Sequence, residues 1–317
     1  RLLELRRILK TTGSLYLHCD GTASHYLKVL MDGIFGGEQF RNEIHWYYYN
    51  KMHDRRKKLF PRATDTLLFY VKDVSSDFTF HQLKEKRDAP IKQLKRQKVA
   101  GKMVNVKDED GHVVYRESTD RGVDNVWRIP GLQPASSERL GFQTQKPRAL
   151  LERLIQASSN PGDLVLDPFC GCGTTVDAAQ KLDRRWVGID VTFLAVDLID
   201  NRLRDTYGDE IAGTYEIKGI PEDVAGAERL FAQNPFDFER WAVSQVAGQP
   251  NVKQVGDKGI DGVIRFSADY AEQDGRALVS VKGGKQLNPA MVRDLVGTLD
   301  QQGAEMGVFL CFASPTP

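Results

Sequence analysis

A glycine-rich turn constrains the fold of this chain more than any other stretch of its 317 residues. Residues 164–166 are apolar and predict a short buried strand that Asp167 closes, and residues 168–175 then read PFCGCGTT. Glycines let the backbone bend sharply at such a point, because they lack a Cβ. We expect a helix from the turn to about residue 182 and a second strand at residues 186–189. This order predicts a βαβ unit and therefore an α/β fold.

Acidic residues end both predicted strands, Asp167 in the first and Asp190 in the second. In a βαβ unit, a glycine turn after the first strand and an acidic residue after the second are the usual place to bind a nucleoside. Gly171 and Gly173 would let such a ligand approach where a Cβ would obstruct it. The turn departs from the dinucleotide-binding pattern GxGxxG, so it is poorly suited to bind a pyrophosphate. A turn without a ligand is the alternative.

This stretch resembles the motif with which DNA amino-methyltransferases bind S-adenosylmethionine (AdoMet). The resemblance implies a Rossmann-like AdoMet-dependent methyltransferase sheet, with an inserted recognition region and AdoMet as the cofactor. It assigns Asp190 to the ribose hydroxyls. It assigns the rest of the cofactor site to Asp167, Phe169, Gly171, Gly173, Thr174, Gln145 and Lys146. For Lys146 an ordinary helix start is an equal alternative.

Three segments near the start of the chain resemble the central part of the same family. They are GSLYLHCD at 13–20, FRNEIHW at 40–46 and FPRATDTLLFYVKD at 60–73, and we predict a strand in each. Amphipathic helices are expected at residues 1–10, with Gly13 as the C-cap, and at residues 26–34.

Polar and aromatic residues in these segments have two interpretations each. His18 and Asp20 are better explained as scaffold residues than as a catalytic pair, because nothing near them in sequence supplies a nucleophile or a metal. The residues Tyr47–Tyr49 could stack on an extruded base, although an aromatic strand more often packs in a core.

A basic segment follows, within polar and irregular residues 74–140. Between Lys84 and Lys107 there are nine basic and two acidic residues, a local charge of +7, and a hairpin is expected with its turn at residues 108–111. A second basic cluster spans residues 51–58. Such patches suit contact with DNA phosphates, and a solvated surface is the alternative. The family carries its target-recognition region at this point, which implies double-stranded DNA as the partner.

Methyl transfer in this family uses an Asp/Asn/Ser-Pro-Pro-aromatic tetrapeptide, and the 317 residues contain none. The nearest match, residues 234–237 (NPFD), lacks the second proline and follows the cofactor unit, so we interpret it as unrelated. In the matching subgroup the tetrapeptide lies upstream of the GSLYLHCD segment, which here would be before Arg1. The sequence therefore nominates no catalytic residue for methyl transfer.

The last third of the chain resembles the Mrr-like branch of restriction endonucleases, in the GIDG at 259–262 and the VSVKGG at 279–284. That resemblance implies a smaller α/β endonuclease-like domain in which Asp261, Lys282 and Glu239 are catalytic. Asp261 and Glu239 would hold Mg2+. Ser280 stands where the family has Glu or Gln, and serine is a poor ligand for Mg2+. The sequence therefore leaves two alternatives for this domain: it cleaves DNA, or it is a relic that only binds DNA.

We predict five segments: methyltransferase core at 1–73, recognition region at 74–140, AdoMet-binding core at 141–207, a linker at 208–235 and the endonuclease-like domain at 236–317. Adenine N6 is favoured over cytosine N4 as the methylated atom. The alternatives are a non-catalytic module that binds DNA and AdoMet, and an endonuclease that uses the methyltransferase-like part to read sites. No apolar run of 18 residues exists and the four cysteines lack metal-site spacing, so we expect a cytoplasmic protein without a membrane segment. A homodimer is left open.

Overall fold

The computed structural model describes residues 1–52, 58, 60–99, 101–142, 144–251, 259–266, 275–284 and 287–312. It divides into two compact units. The first contains Arg1–Asp167 and Thr174–Val187, and the second contains Pro168–Gly173 and Gly188–Pro317. Both units combine helices and strands, so the predicted α/β fold class is confirmed.

The helices and strands of the first unit are, in chain order, α1 (Leu2–Ile8), β1 (Ser14–Cys19), α2 (Ser24–Phe35), β2 (Phe40–Tyr47), β3 (Thr64–Val71), β4 (Lys84–Leu94), β5 (Arg96–Val99), β6 (Lys102–Asn105), β7 (Tyr115–Gly122), β8 (Val126–Arg128), α3 (Arg148–Ser158), β9 (Leu164–Asp167), α4 (Thr174–Lys181) and β10 (Arg185–Gly188). In one respect the sequence prediction is wrong: α1 ends at Ile8, and its C-cap is Leu9 in an extended conformation rather than Gly13.

A four-stranded sheet in the order β1-β3-β2-β8 forms the centre of the first unit. Its strand β3 pairs antiparallel with β1 and β2, and β8 pairs parallel with β2. One face packs against α3 through Leu150 and Leu154, and the other packs against α2 through Met31 and Phe35. Strand β3 is almost wholly buried because its apolar side chains serve both faces. Each such side chain contributes roughly 1.5–3 kcal/mol by leaving water.

The predicted strand–turn–helix–strand unit is present as β9, α4 and β10, and the two strands are neighbours in a two-stranded sheet. Helix α4 buries Ala178 and Ala179 against Ile155 of α3. Small residues at this contact let the two helices approach closely.

The segment predicted to be irregular contains two antiparallel strand pairs, β4 with β7 and β5 with β6. A bridge between Lys107 and Val113 encloses the predicted turn, in which the Gly111 N–H donates to the Asp108 carbonyl at 3.1 Å. The side chains of these strands are mostly exposed on both faces. The sequences of these strands therefore need no alternation of apolar and polar residues, which is the pattern by which strands are recognised.

The second unit contains, in chain order, α5 (Phe193–Tyr207), a 3-10 helix (Asp209–Thr214), α6 (Val224–Gln233), α7 (Pro235–Ser244), β11 (Gln249–Pro250), β12 (Gly262–Phe266), β13 (Gly275–Lys282), α8 (Pro289–Gln302) and β14 (Met306–Cys311). Strands β11, β12 and β13 are antiparallel neighbours, and β14 pairs parallel with β13.

Strand β13 is the central strand of this sheet and is buried on both faces. Val279 and Val281 pack with Phe238 of α7, whereas Leu278 packs with Leu295 of α8. Helix α6 lies within the segment that we predicted as a linker, and its Ala227 joins the same cluster as Phe238. The described residues include no helix that is both long and apolar enough to cross a membrane.

Candidate functional site

The glycine turn and Asp190, two residues after β10, are joined directly within the second unit. The Gly171 N–H donates to Asp190 Oδ2 at 3.0 Å, although the two residues are 19 positions apart. Asp190 Oδ1 accepts from both the backbone N–H and the hydroxyl of Thr192, each at 3.0 Å. The Cys170 N–H also donates to the Ile189 carbonyl at 3.0 Å. The structure thus brings together the two parts of the predicted nucleoside site that lie in this unit.

Both glycines of the turn have the backbone conformation that L-residues disfavour. The φ angle is +51° at Gly171 and +71° at Gly173. A Cβ on Gly173 would lie only 2.4 Å from Cγ1 of Ile199 on α5. The Cys172 carbonyl between the glycines accepts from the buried guanidinium of Arg202 at 3.2 Å. Glycine at 173 is therefore required by conformation and by space.

Three further predicted cofactor residues precede or follow the same turn in the sequence. In the first unit, Asp167 Oδ2 accepts from the Thr175 hydroxyl at 2.5 Å, which ties the end of β9 to the start of α4. Thr174 is buried in that unit, and Phe169, in the second unit, is 57% exposed. Phe169 thus offers an aromatic surface to solvent, and the cofactor roles of all three remain predictions.

Gln145 and Lys146 precede α3, and Gln145 has structural partners in its own loop. Its Oε1 accepts from the Leu140 N–H at 2.8 Å, and its Nε2 donates to the Glu138 carbonyl at 2.6 Å. Lys146 Nζ donates to the Thr144 carbonyl at 2.8 Å. The Gln145 side chain therefore fixes the loop that leads into α3.

A polar cluster at the end of β1 contains a residue that the sequence analysis missed. His18 Nε2 lies 3.2 Å from Asp65 Oδ2, and the Tyr48 hydroxyl donates to Asp65 Oδ1 at 3.3 Å. Burial by itself would raise the pKa of Asp65, but the hydrogen bonds from His18 and Tyr48, together with electrostatic interactions with His18 and Lys146, outweigh it and the pKa is lowered. Asp20 instead pairs with Arg62 at 2.7 Å. An acidic residue in a strand whose other residues are uncharged was the available signal.

The three consecutive tyrosines have different surroundings. Tyr48 is buried in the core, whereas Tyr49 is 54% exposed. The guanidinium of Arg128 lies 5.9 Å from the ring centre of Tyr47. Packing therefore explains Tyr48, and Tyr49 retains an accessible ring.

The basic segment is displayed on the strands of the recognition segment. Every basic residue from Lys84 to Lys107 is exposed except Arg87, which is half-buried. Of the second cluster, residues 55–57 lie outside the described residues, and Lys51 Nζ lies 5.1 Å from the ring centre of Tyr48.

In the endonuclease-like part, Asp261 lies immediately before β12 and contacts β13. Its N–H donates to the Val279 carbonyl at 2.8 Å, and its Oδ2 accepts from the Val281 N–H at 2.6 Å. Lys282 follows Val281 as the last residue of β13, so the structure brings Asp261 close to the backbone next to Lys282. Ser280 is buried.

Glu239 lies half-buried on α7, which packs on one face of the same sheet. Because successive side chains of a strand point to opposite faces, and Val281 points to α7, Lys282 is directed away from that helix. Glu239 and Lys282 therefore belong to opposite faces of the sheet, and the predicted metal role of Glu239 remains a prediction.

Asn234 of the NPFD segment has a structural explanation. Its Oδ1 accepts from the N–H groups of Phe236 and Asp237 at 3.2 and 3.3 Å, which makes it the N-cap of α7. Its Nδ2 donates to the buried Asp237 at 2.6 Å. Burial raises the pKa of Asp237, and Arg240 and Asn234 partly offset this effect.

Comparisons with known proteins agree with these two parts of the chain. A family model described as DNA methylase matches residues 1–200, and one described as restriction endonuclease matches residues 230–317. Type II methyltransferase M.HpaI of Haemophilus parainfluenzae is 30% identical over 228 residues, which is 71% of this chain and 64% of that protein. DNA adenine methyltransferase YhdJ of Escherichia coli (strain K12) is 30% identical over 190 residues, 60% of each.

The chain spans less than two thirds of the length of these two relatives. Among solved structures, the M1.HpyAVI–SAM complex is 22% identical with a TM-score of 0.45, and the match covers 64% of this chain and 81% of that one.

Proposed function

We propose, because this chain belongs to the DNA methylase family, that it binds AdoMet and double-stranded DNA as part of a DNA amino-methyltransferase. The methyl group would go to an exocyclic amine, adenine N6 rather than cytosine N4. The contact between Gly171 and Asp190 carries this proposal, since it joins a glycine turn to an acidic strand end. We keep the five predicted segments as the domain division, and the cytoplasm as the location.

Asp190 is suited to a ribose by its remaining hydrogen-bonding capacity. A carboxylate offers about four acceptor positions, and Gly171 and Thr192 use three of them on Asp190. A ribose hydroxyl can take a further position on Oδ2. The family resemblance also assigns Asp167, Phe169, Gly173, Thr174, Gln145 and Lys146 to cofactor binding. AdoMet would supply the electrophilic methyl group.

Calorimetric titration of the chain with AdoMet tests the cofactor site. Asp190→Asn removes the charge and one of the two acceptor oxygens, which Gly171 and Thr192 share between them, and hydrogen bonds to charged groups contribute about 1.5–3 kcal/mol. We therefore expect AdoMet binding at least tenfold weaker than in the unmodified chain. The unfolding midpoint is measured on the same samples. Asp209→Asn is the matched control, because the Asp209 side chain is 90% exposed. Equal affinity in all three proteins would refute the site.

Phe169→Ala provides a second test that spares the turn. The ring is largely exposed, so its removal should leave the unfolding midpoint nearly unchanged while AdoMet affinity falls. Unchanged affinity would exclude Phe169 from the site.

Transfer of labelled methyl groups from AdoMet to DNA by the complete protein distinguishes the enzyme from a non-catalytic module. Label in N6-methyladenine supports the proposed reaction, and label in N4-methylcytosine corrects the base. Tight AdoMet binding without transfer would favour the non-catalytic module that binds DNA and AdoMet.

Mg2+-dependent DNA cleavage is the second candidate function, and the contact between Asp261 and the end of β13 favours it. Carboxylates are the ligands that Mg2+ prefers, so Asp261 would hold the ion. Glu239 is the further ligand that the sequence predicts, but it lies on the opposite face of the sheet from Lys282, so the proposal does not depend on it. Lys282 would stabilise charge on the phosphate. Plasmid nicking that is lost in Asp261→Asn and in Lys282→Gln would support cleavage. Nicking that persists in both variants would exclude these residues.

A further inference from the structure

A cleft of about 420 Å3 lies in the first unit, where the recognition segment joins the central sheet. This volume is within the usual range of sites that bind small molecules. Aromatic side chains make up much of its lining: Tyr16 of β1, Phe69 of β3, Trp127 of β8, and Phe80, which precedes β4. The cleft therefore offers flat apolar surfaces to a ligand.

Backbone hydrogen bonds hold two sides of the cleft in place. The His81 N–H donates to the Ala157 carbonyl at 2.7 Å, which fixes the segment before β4 to the end of α3. The Val123 N–H donates to the Leu83 carbonyl at 2.9 Å, at the point where β7 ends and β4 begins. All four residues line the cleft, so these bonds shape it without a ligand.

The exposed ring of Phe80 continues a stack of aromatic rings. Tyr16 and Phe69 are stacked with ring centres 4.5 Å apart and an interplanar angle of 10°. The ring centre of Phe80 lies 6.0 Å from that of Phe69, at an angle of 20°. Phe80 is 54% exposed, so part of its surface is accessible to a further planar group. A planar heterocycle is the kind of ligand that extends such a stack.

Two side-chain amides in the lining suit the edge of a nucleobase. Asn42 of β2 and Gln82 are both exposed, and neither amide makes a hydrogen bond to another residue in the described part of the chain. Asparagine and glutamine amides pair bidentately with the N6 amino group and N7 of adenine. The lining thus combines a surface for stacking with groups that can distinguish one base from another.

Two charged residues of the lining suit the rest of a nucleotide. Arg41 is exposed, and its guanidinium donates to the carbonyls of Phe40 and Glu38 at 3.0 and 2.9 Å. Carbonyls have no net charge, so these contacts do not neutralise the positive charge that a phosphate would pair with. Asp124 Oδ1 accepts from the Val126 N–H at 2.9 Å, and Oδ2 has acceptor capacity for ribose hydroxyls.

We propose that this cleft binds an adenine nucleotide, with the base stacked on Phe80 and paired with Asn42 or Gln82. The cleft is distinct from the polar cluster around Asp65, because Asn42 precedes Trp46, the partner of Asp65, by four residues of β2, which is roughly 13 Å. A bound nucleotide would also contact the residues at which β4 and β7 join the rest of the unit. The proposal does not depend on the AdoMet site.

Calorimetric titration of the chain with adenosine 5′-monophosphate (AMP) tests the proposal. Phe80→Leu keeps an apolar side chain but removes the ring, so loss of stacking should weaken AMP binding at least about fivefold. Tyr115→Leu is the matched control, because Tyr115 is 57% exposed on β7 and does not line the cleft. A chain that does not bind AMP, or that binds it equally well after Phe80→Leu, would overturn the proposal.

The role of the amides is tested by base specificity. Inosine 5′-monophosphate has an oxygen where adenine has its amino group, so it cannot form the same bidentate pair. We expect AMP to bind at least about fivefold more tightly than this nucleotide, and the double variant Asn42→Leu, Gln82→Leu to lose the preference. Equal binding of the two nucleotides by the unmodified chain, or equal binding of ribose 5-phosphate, would refute recognition of the base.

Asp190→Asn separates this cleft from the proposed AdoMet site. AMP in the cleft should bind to Asp190→Asn as to the unmodified chain, whether or not AdoMet binding is weakened. AMP binding that is lost in Asp190→Asn and retained in Phe80→Leu would place the nucleotide in the other site and overturn the proposal. The two proposals can therefore fail separately.

Competition with DNA distinguishes the two sources of an adenine nucleotide. A duplex with one unpaired adenine that displaces AMP, where a fully paired duplex does not, would show that the base can come from DNA. Displacement by neither duplex would assign the cleft to a free nucleotide. In both cases the displaced AMP is expected to depend on Phe80.

Discussion

The substitution Gly173→Ala is the sharpest test of the glycine turn. It adds one methyl group where φ is +71° and where Ile199 Cγ1 would be 2.4 Å away. Gly162→Ala is the matched control. Gly162 has a φ of +83°, but a Cβ there would meet nothing within 4 Å. The two variants share the backbone effect, and only Gly173→Ala adds a steric clash.

The expected magnitudes follow from these two contributions. An L-residue in the left-handed conformation costs roughly 1–2 kcal/mol. Forcing an extra methyl group into a packed site costs typically about 1–3 kcal/mol more. We therefore expect Gly162→Ala to lower the free energy of unfolding by about 1 kcal/mol and Gly173→Ala by about 3 kcal/mol.

Urea unfolding followed by tryptophan fluorescence measures both values, and calorimetry on the same samples measures AdoMet affinity. Adding Ile199→Ala removes the atom that clashes, so Gly173→Ala should be less destabilising in that background than in the unmodified chain. The two sites would then show a coupling energy of at least about 0.5 kcal/mol. If Gly173→Ala destabilises no more than Gly162→Ala, or the coupling is zero, the close approach to α5 is refuted.

Three further predictions use other parts of the chain. The pKa of Asp65 is lowered in the folded chain, so its charge stabilises the fold above the unfolded pKa of about 3.9, and this stabilisation is lost as the pH falls through the folded pKa. The free energy of unfolding of Asp65→Asn should therefore fall less in acid than that of the unmodified chain. Identical acid unfolding curves would contradict this. Burial and the nearby carboxylates raise the pKa of Cys19 to about 11, so a thiol reagent at pH 8 should modify it only after unfolding. Replacing Lys92 and Lys98 by glutamine should reduce the salt dependence of DNA binding by roughly 0.9 in log–log slope per lost phosphate contact, and an unchanged slope would exclude both lysines from phosphate contact.

Local patterns were sufficient to predict the elements that pack around a core. The βαβ unit was predictable because a glycine turn and a helical segment separate two apolar runs. The matches over residues 1–200 and 230–317 confirm both family resemblances. Strands β4 to β7 were not predictable, since neither face is buried and no alternation marks them. The end of α1 was misplaced because Leu9 has an extended conformation, although it packs against the same buried cluster as Leu2 of the helix.

Residues of the candidate sites were predictable where one segment of chain carries them. The sequence identified Gly171 and Asp190 because both belong to one βαβ unit. The pair formed by His18 and Asp65 depends on strands 47 residues apart, and only the register between β1 and β3 brings them together. No local pattern could supply that register.

The two carboxylates predicted to act on ligands also hold the backbone in place. Asp190 accepts from Gly171, and Asp261 accepts from Val281, which lies 20 residues further along the chain. A carboxylate at a strand end can satisfy a backbone N–H that the strand leaves unpaired, and it retains capacity for a ligand. The same acidic residue therefore contributes to the shape of the site and to its chemistry. Alanine removes both contributions, whereas asparagine keeps one acceptor oxygen and removes the charge. On Asp190 the amide NH2 of asparagine would face a donor from either Gly171 or Thr192, so the unfolding midpoint of each variant has to be measured beside its ligand affinity.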